Sequence, residues 1–170
     1  MLLLDLLRYL VHRCDHAVPL FWRFHALHVT TSGRHHPIEY ALASAVYWLA
    51  VLVLDTPVDV VLSHGLALFA MAAIQKGNVR FPKRVECWLE PVLVTVDMYR
   101  IHHSISYSEA NANFGAVFSV WDRLFGTYIR LARAQQEQIV FGVRELPRGD
   151  CLKPGAMLLT PWRLSPAAAD

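Results

Sequence analysis

Tyr40–Leu54, YALASAVYWLAVLVL, and Val60–Ile74, VVLSHGLALFAMAAI, contain no Asp, Glu, Lys or Arg. A helix needs about 20 apolar residues to cross a hydrocarbon core of roughly 30 Å. Each fifteen-residue run therefore spans a bilayer only with its flanks, with tilt or with local thinning. Asp55-Thr56-Pro57 between them is short and turn-prone, so the pair reads as an antiparallel helical hairpin over about 38–75. The competing reading is two buried helices of a soluble bundle. Arg34 precedes the first run, and Lys76, Arg80, Lys83 and Arg84 follow the second, whereas the turn carries Asp55 and Asp59. The positive-inside bias puts the basic ends on the cytoplasmic side.

The whole chain supports membrane residence: 55% of its 170 residues are hydrophobic and its mean hydropathy is +0.31. A net charge of +2, dispersed along the chain, excludes a nucleic-acid footprint; basic residues beside a hairpin suit anionic headgroups instead. Cys14, Cys87 and Cys151 are odd in number and far apart, which argues against a disulfide framework or a zinc knuckle. Met1–Leu4 is apolar but lacks a basic leader region and is interrupted by Asp5 and Arg8, so it does not read as a signal peptide.

The fold class expected is all-α, a membrane hairpin with a cytosolic helical cap. Helices are predicted over 2–17 and 20–29, an amphipathic interfacial helix over 85–98 with Pro91 inside it, and a helix or helix-turn over 111–128 around Trp121-Asp122-Arg123. Beyond residue 130, charge and proline rise and periodicity fades, which predicts a weakly structured extension over 131–170.

Eight of the nine histidines stand in clusters. His12 and His16 (i, i+4) share one helix face, as do His25 and His28 (i, i+3); His35-His36 precede Pro37, and His102 and His103 are adjacent. Either spaced pair alone is an ordinary surface or packing feature. Several clusters beside one hairpin are a different matter, because paired imidazoles at one-turn spacing aim two nitrogens at one first-row metal, and imidazole suits iron and zinc alike. His64, alone inside the second apolar run, reads as a packed, hydrogen-bonded histidine.

The runs Asp5–His16, Leu20–His28 and Arg34–Glu39, followed by Gly77-Asn78-Val-Arg80-Phe-Pro82, Arg100-Ile-His102-His103-Ser104, Asn111–Gly115 and Trp121-Asp122-Arg123-Leu-Phe125-Gly126-Thr127-Tyr128, occur in the order seen in the sterol desaturase and fatty acid hydroxylase family. The resemblance covers 5 to about 162. It implies a membrane-bound non-haem di-iron oxygenase that uses dioxygen and an unidentified electron donor to hydroxylate or desaturate a C–H bond of a lipid. The matched metal ligands are His12, His16, His25, His28, His36, His102 and His103, with no separate catalytic acid or base.

Three positions depart from the family pattern. Val29 follows His28 where a further histidine and a short segment would stand, Lys76 occupies a histidine position, and Tyr99 begins the third box. An ammonium at a ligand position repels a cation by about 4 kcal/mol per unit charge at 4 Å and an effective dielectric near 20. The resemblance also implies transmembrane helices ahead of Asp5, so the sequence reads as a fragment of a longer product or as a decayed paralogue. The expected function is therefore an integral, multi-pass membrane, iron-dependent lipid oxygenase with its histidine motifs on the cytoplasmic side. The alternatives are an inactive relative serving as a membrane partner and a soluble helical zinc protein.

Overall fold

A computed structural model describes residues 1–31, 33–77, 79, 81–146 and 153–164. Asn78, Arg80 and Cys151, all used in reading the sequence, lie outside the described residues. The described chain is helical and, apart from isolated bridges such as Leu93 with Phe118, has no strand.

Helix α1 (Leu2–Ala17) stops at Val18, whose extended backbone (φ −99°, ψ 116°) is what the residue before a proline prefers. Pro19 then opens α2 (Pro19–Thr31), where a missing N–H costs nothing. α1 buries Leu4, Asp5 and Tyr9, and α2 buries the continuous run His25–Thr30. The Asp5 carboxylate accepts from Val117 N (3.2 Å), Phe118 N (3.2 Å) and Trp121 Nε1 (2.8 Å), fastening the start of α1 to the distant 117–121 segment.

The hairpin forms as expected. α3 (Pro37–Val53) is capped by His36, whose Nδ1 accepts from Ile38 N, and α4 (Val58–Lys76) follows after a turn in which Asp55 takes a left-handed φ of 46°. At the usual rise, α4 is about 28 Å long, and with a mean hydropathy of 1.6 it is long and apolar enough to cross a membrane. α3, at 17 residues, is a shorter apolar helix. Side chains along both are exposed: Leu52 (77%), Val53 (75%), Leu62 (67%), Leu66 (69%) and Phe69 (73%) face outward. A soluble domain rarely exposes so long an apolar surface. The inner side carries the polar exceptions. His64 is fully buried, with Tyr47 Oη at 3.1 Å and Asp5 Oδ1 at 3.7 Å, and the buried Gln75 donates to the Val94 and Ala116 carbonyls.

The cap differs from expectation in two places. The interfacial helix over 85–98 is two helices, α5 (Lys83–Leu89) and α6 (Val96–His102), because the chain turns at Glu90-Pro91 and Thr95 starts a new cap by accepting from Met98 N. The 111–128 segment is mostly irregular. After the single turn of α7 (Tyr107–Ala110), only α8 (Val120–Leu124) is helical. Asn113 sits at φ 55° with its amide bonded to Met98 O and Ile129 O, and a Cβ on Gly115 would lie 2.8 Å from Asp122 Oδ2. These tertiary contacts override the helical pattern.

Of the 131–170 extension, residues 131–146 and 153–164 are described, with α9 (Arg133–Gln136), α10 (Pro154–Leu158) and α11 (Thr160–Arg163). Leu146 and Leu164 pack into a buried cluster with Ala26 and Leu27 of α2.

Candidate metal centre

α1 presents His12 and His16, α2 presents His25 and His28, and the end of α6 presents His102 and His103 against them. The His12 ring lies 5.3 Å from His16, 4.9 Å from His25 and 4.6 Å from His102, centroid to centroid. His16 lies 4.8 Å from His25 and 4.9 Å from His102. One nitrogen from each of these four can be chosen so that all lie within 4.8 Å of one another. A second group adjoins the first: His28 is 5.2 Å from His25 and 4.9 Å from His103, which in turn is 5.3 Å from His102.

Six of the seven histidines singled out from the sequence thus meet in one constellation. His36 does not join it. Its Nδ1 caps α3, its Nε2 reaches the Leu158 carbonyl at 3.3 Å, and its ring packs on Phe24. The neighbouring His35 takes the inward place, stacked on His28 at 4.1 Å.

The hydrogen bonds orient the rings. His12 Nδ1 donates to Phe114 O (2.9 Å), His102 Nδ1 to Ala112 O (2.8 Å) and His103 Nδ1 to Val29 O (3.0 Å). A carbonyl only accepts, so each Nδ1 carries the proton and each Nε2 is left with a lone pair. The irregular 111–115 segment has this use: it offers the Ala112 and Phe114 carbonyls to two histidines. Asp122, fully buried, holds that segment from behind by accepting from Phe114 N (2.7 Å), Gly115 N (2.9 Å) and Thr127 Oγ1 (2.7 Å).

Whether a metal fits can be judged from what remains unpaired. The Nε2 atoms of His16, His102 and His103 and the Nδ1 of His28 are buried without a hydrogen-bond partner. Burial lowers the pKa of His12, His16, His28 and His102 well below the ordinary histidine value, with neighbouring imidazoles acting in the same direction. Burial likewise pulls His103 down to about 4, against the opposing Val29 hydrogen bond, and the charge of Lys76 adds a lesser push downward. The rings are neutral, which is the ligating form. Two nitrogens bound side by side on one ion at about 2.1 Å stand about 3 Å apart, and His12 Nε2 lies 3.2 Å from His25 Nε2. The donor set fits a first-row transition ion.

Carboxylates flank the histidines on one side. Glu39 Oε1 lies 2.8 Å from the Nδ1 atoms of both His25 and His35, and Asp15 Oδ2 is 3.9 Å from His25 Nδ1. Burial raises Asp15 to about 6, against the pull of His25. Glu39 and His35 were missed as functional residues in reading the sequence. The signal available was a single carboxylate in an otherwise acid-free apolar helix, four residues after a histidine. Of the altered positions, Tyr99 packs on His103 at 4.4 Å, and Val29 contributes its carbonyl to the same histidine.

A family model for fatty acid hydroxylase matches residues 1–127. The ornithine lipid hydroxylase OlsE of Rhizobium tropici is 31% identical over 127 residues, covering 71% of this chain and 38% of its own length. Human alkylglycerol monooxygenase is 27% identical over 146 residues (79% and 30%), and the fatty acid hydroxylase vlmA of Lecanicillium sp is 25% identical over 145 (74% and 40%). The chain thus spans well under half the length of these relatives. No solved structure matches it. With three quarters of its residues under the family model and its histidines gathered at one place, the chain belongs to the fatty acid hydroxylase family.

Proposed function

We propose that this chain carries the metal-binding core of an integral membrane, iron-dependent oxygenase that hydroxylates or desaturates a fatty acyl or sterol-like lipid, drawing electrons from a separate donor. The observation that carries the reading is the constellation of six histidines, in which His12, His16, His25 and His102 each bring a nitrogen within 4.8 Å of the others and buried nitrogens of His16, His28, His102 and His103 have no hydrogen-bond partner. His12, His16, His25 and His102 would hold one ion, with His28 and His103 contributing to a second beside it. Bound iron would supply dioxygen activation, which no side chain here provides.

The residues of the chain divide the remaining tasks. The Ala112, Phe114 and Val29 carbonyls fix the tautomers, which raises ligand basicity and prevents ring rotation. Phe114, edge-on to His12, His16 and His102, and Trp22 beside His16 line the centre with apolar surface that limits water. The exposed apolar faces of α3 and α4 support insertion as a hairpin, and the basic residues Arg34, Lys76, Lys83 and Arg84 at its open end support a cytoplasmic location for the histidines. A lipid tail held in the bilayer beside the hairpin would then meet the centre at the membrane surface. These exposed faces also speak against the soluble zinc protein.

One observation favours a second reading, a family member with weakened metal occupancy: Lys76 acts on His103 as a positive charge, and Tyr99 rather than an imidazole packs against it. Elemental analysis of detergent-purified protein separates the two, with iron at up to two per chain expected for the oxygenase. Turnover of a lipid by the iron-loaded protein, supplied with a reductant and dioxygen, completes the test. Iron at near-zero occupancy under saturating supply refutes the proposal.

A further inference from the structure

Glu39 is the only acidic residue of α3 and is 7% exposed. Its Oε1 accepts from His25 Nδ1 and from His35 Nδ1, each at 2.8 Å, while its Oε2 has no hydrogen-bond partner. A carboxylate in the first turn of a helix interacts well with the helix dipole wherever it points. Placing it against two imidazoles beneath a cluster of neutral histidines is a different arrangement, because desolvating a carboxylate is costly unless specific donors compensate. The bonds also fix orientation: both rings donate from Nδ1, so in each the Nε2 is the nitrogen turned away from the carboxylate and open to a metal ion. His25 Nε2 is the atom 3.2 Å from His12 Nε2. The His35 ring lies parallel to His28, at 4.1 Å and 13°, within the second group.

His36 has the opposite assignment. Its Nδ1 accepts from Ile38 N, so its proton is on Nε2 and is donated to Leu158 O. Neither nitrogen is free, and withdrawing the ring would uncap α3.

We infer that Glu39 is the positioning residue of the metal centre, holding His25 and His35 through one oxygen, and that His35 rather than His36 is the ligand supplied by the connection between α2 and α3. This rests on the metal-binding reading above. It adds a mechanical consequence: the first hairpin helix is tied to the centre by a carboxylate, so the tilt of α3 and the placement of two imidazoles are coupled.

The test uses the full chain in detergent, loaded with Co²⁺, whose visible bands report its ligand field, and titrated against a chelator. Helix content and thermal unfolding are recorded alongside. Glu39→Gln keeps the shape and one acceptor oxygen but removes the charge, and it should weaken Co²⁺ binding by about 10- to 100-fold and shift the bands, with helix content unchanged. His35→Ala should lose affinity and alter the bands, and because His35 is partly exposed this variant carries the test should Glu39→Gln fail to fold. His36→Ala should lower the melting temperature while keeping the bands. Parent-like bands and affinity in both Glu39→Gln and His35→Ala, or loss of the bands in His36→Ala alone, overturn the inference while leaving the metal centre intact. A parent that takes up no Co²⁺, or takes it up regardless of His12 and His102, overturns the metal-centre reading itself.

Discussion

The Nε2 atoms of His12 and His25 face each other at 3.2 Å, while each ring donates its Nδ1 proton elsewhere, His12 to Phe114 O and His25 to Glu39. Two lone pairs at that distance repel unless a proton or a metal ion lies between them. Burial keeps His12 from becoming the protonated partner, so a metal ion bound there would compete with a proton for the same pair of nitrogens.

His12→Gln should therefore separate stability from metal binding. The amide can hydrogen-bond to His25 Nε2 as either donor or acceptor, so the metal-free variant should melt within a few degrees of the parent, on the scale of about 2–4 °C per kcal/mol for a chain of this size. Its iron content should fall. A lower melting temperature together with unchanged iron would show that the two nitrogens do not compete for a shared ion.

Leu66→Arg tests the hairpin. Leu66 is 69% exposed near the middle of α4, so in water the change would be almost neutral. At a bilayer centre it costs about 2.5–3.5 kcal/mol on insertion scales. Loss of protein from the carbonate-washed membrane fraction is expected, whereas normal membrane retention would argue against lipid contact at that face.

Asp122 accepts three hydrogen bonds in a fully buried position, so Asp122→Ala leaves Phe114 N, Gly115 N and Thr127 Oγ1 without their acceptor. A loss of about 3 kcal/mol or more in stability is expected, since bonds to charged groups are worth about 1.5–3 kcal/mol each. Thermal unfolding and expression should suffer more than iron per folded chain. Normal folding with selective iron loss would instead give Asp122 a direct part in orienting His12 through Phe114.

Glu86 provides a pH signature away from the histidines. Burial, reinforced by Asp97, raises its carboxyl to about 8. Between the unfolded value of about 4.5 and 8, the folded state binds a proton that the unfolded state does not, so its contribution to stability falls as pH rises through that window. Glu86→Gln should raise the melting temperature at pH 8 and leave it unchanged at pH 4. An equal shift at both values would exclude the raised pKa as the cause.

The hairpin and the histidine clusters were legible in the sequence because periodicity and apolar run length report directly on helices. Convergence of His12, His16, His25 and His28 with His102 and His103 followed from the family resemblance. The irregular 111–119 segment was not legible: its backbone conformation is set by Asn113, Gly115 and Asp122, each acting through partners distant in sequence. The break between α5 and α6 had one visible signal, Pro91. The exchange of roles between His35 and His36 was hidden for a different reason. Adjacent histidines ahead of a proline look alike in sequence, and only the cap on Ile38 N and the reach of Glu39 distinguish them.

The most direct test of the central claim is iron per chain in detergent-purified protein, measured for the parent and for a His12→Ala/His102→Ala variant that retains parent helix content. The account predicts iron bound by the parent, at up to two per chain, and loss of most of it in the variant. An iron-free parent after reconstitution, or a variant that holds as much iron as the parent, would contradict it.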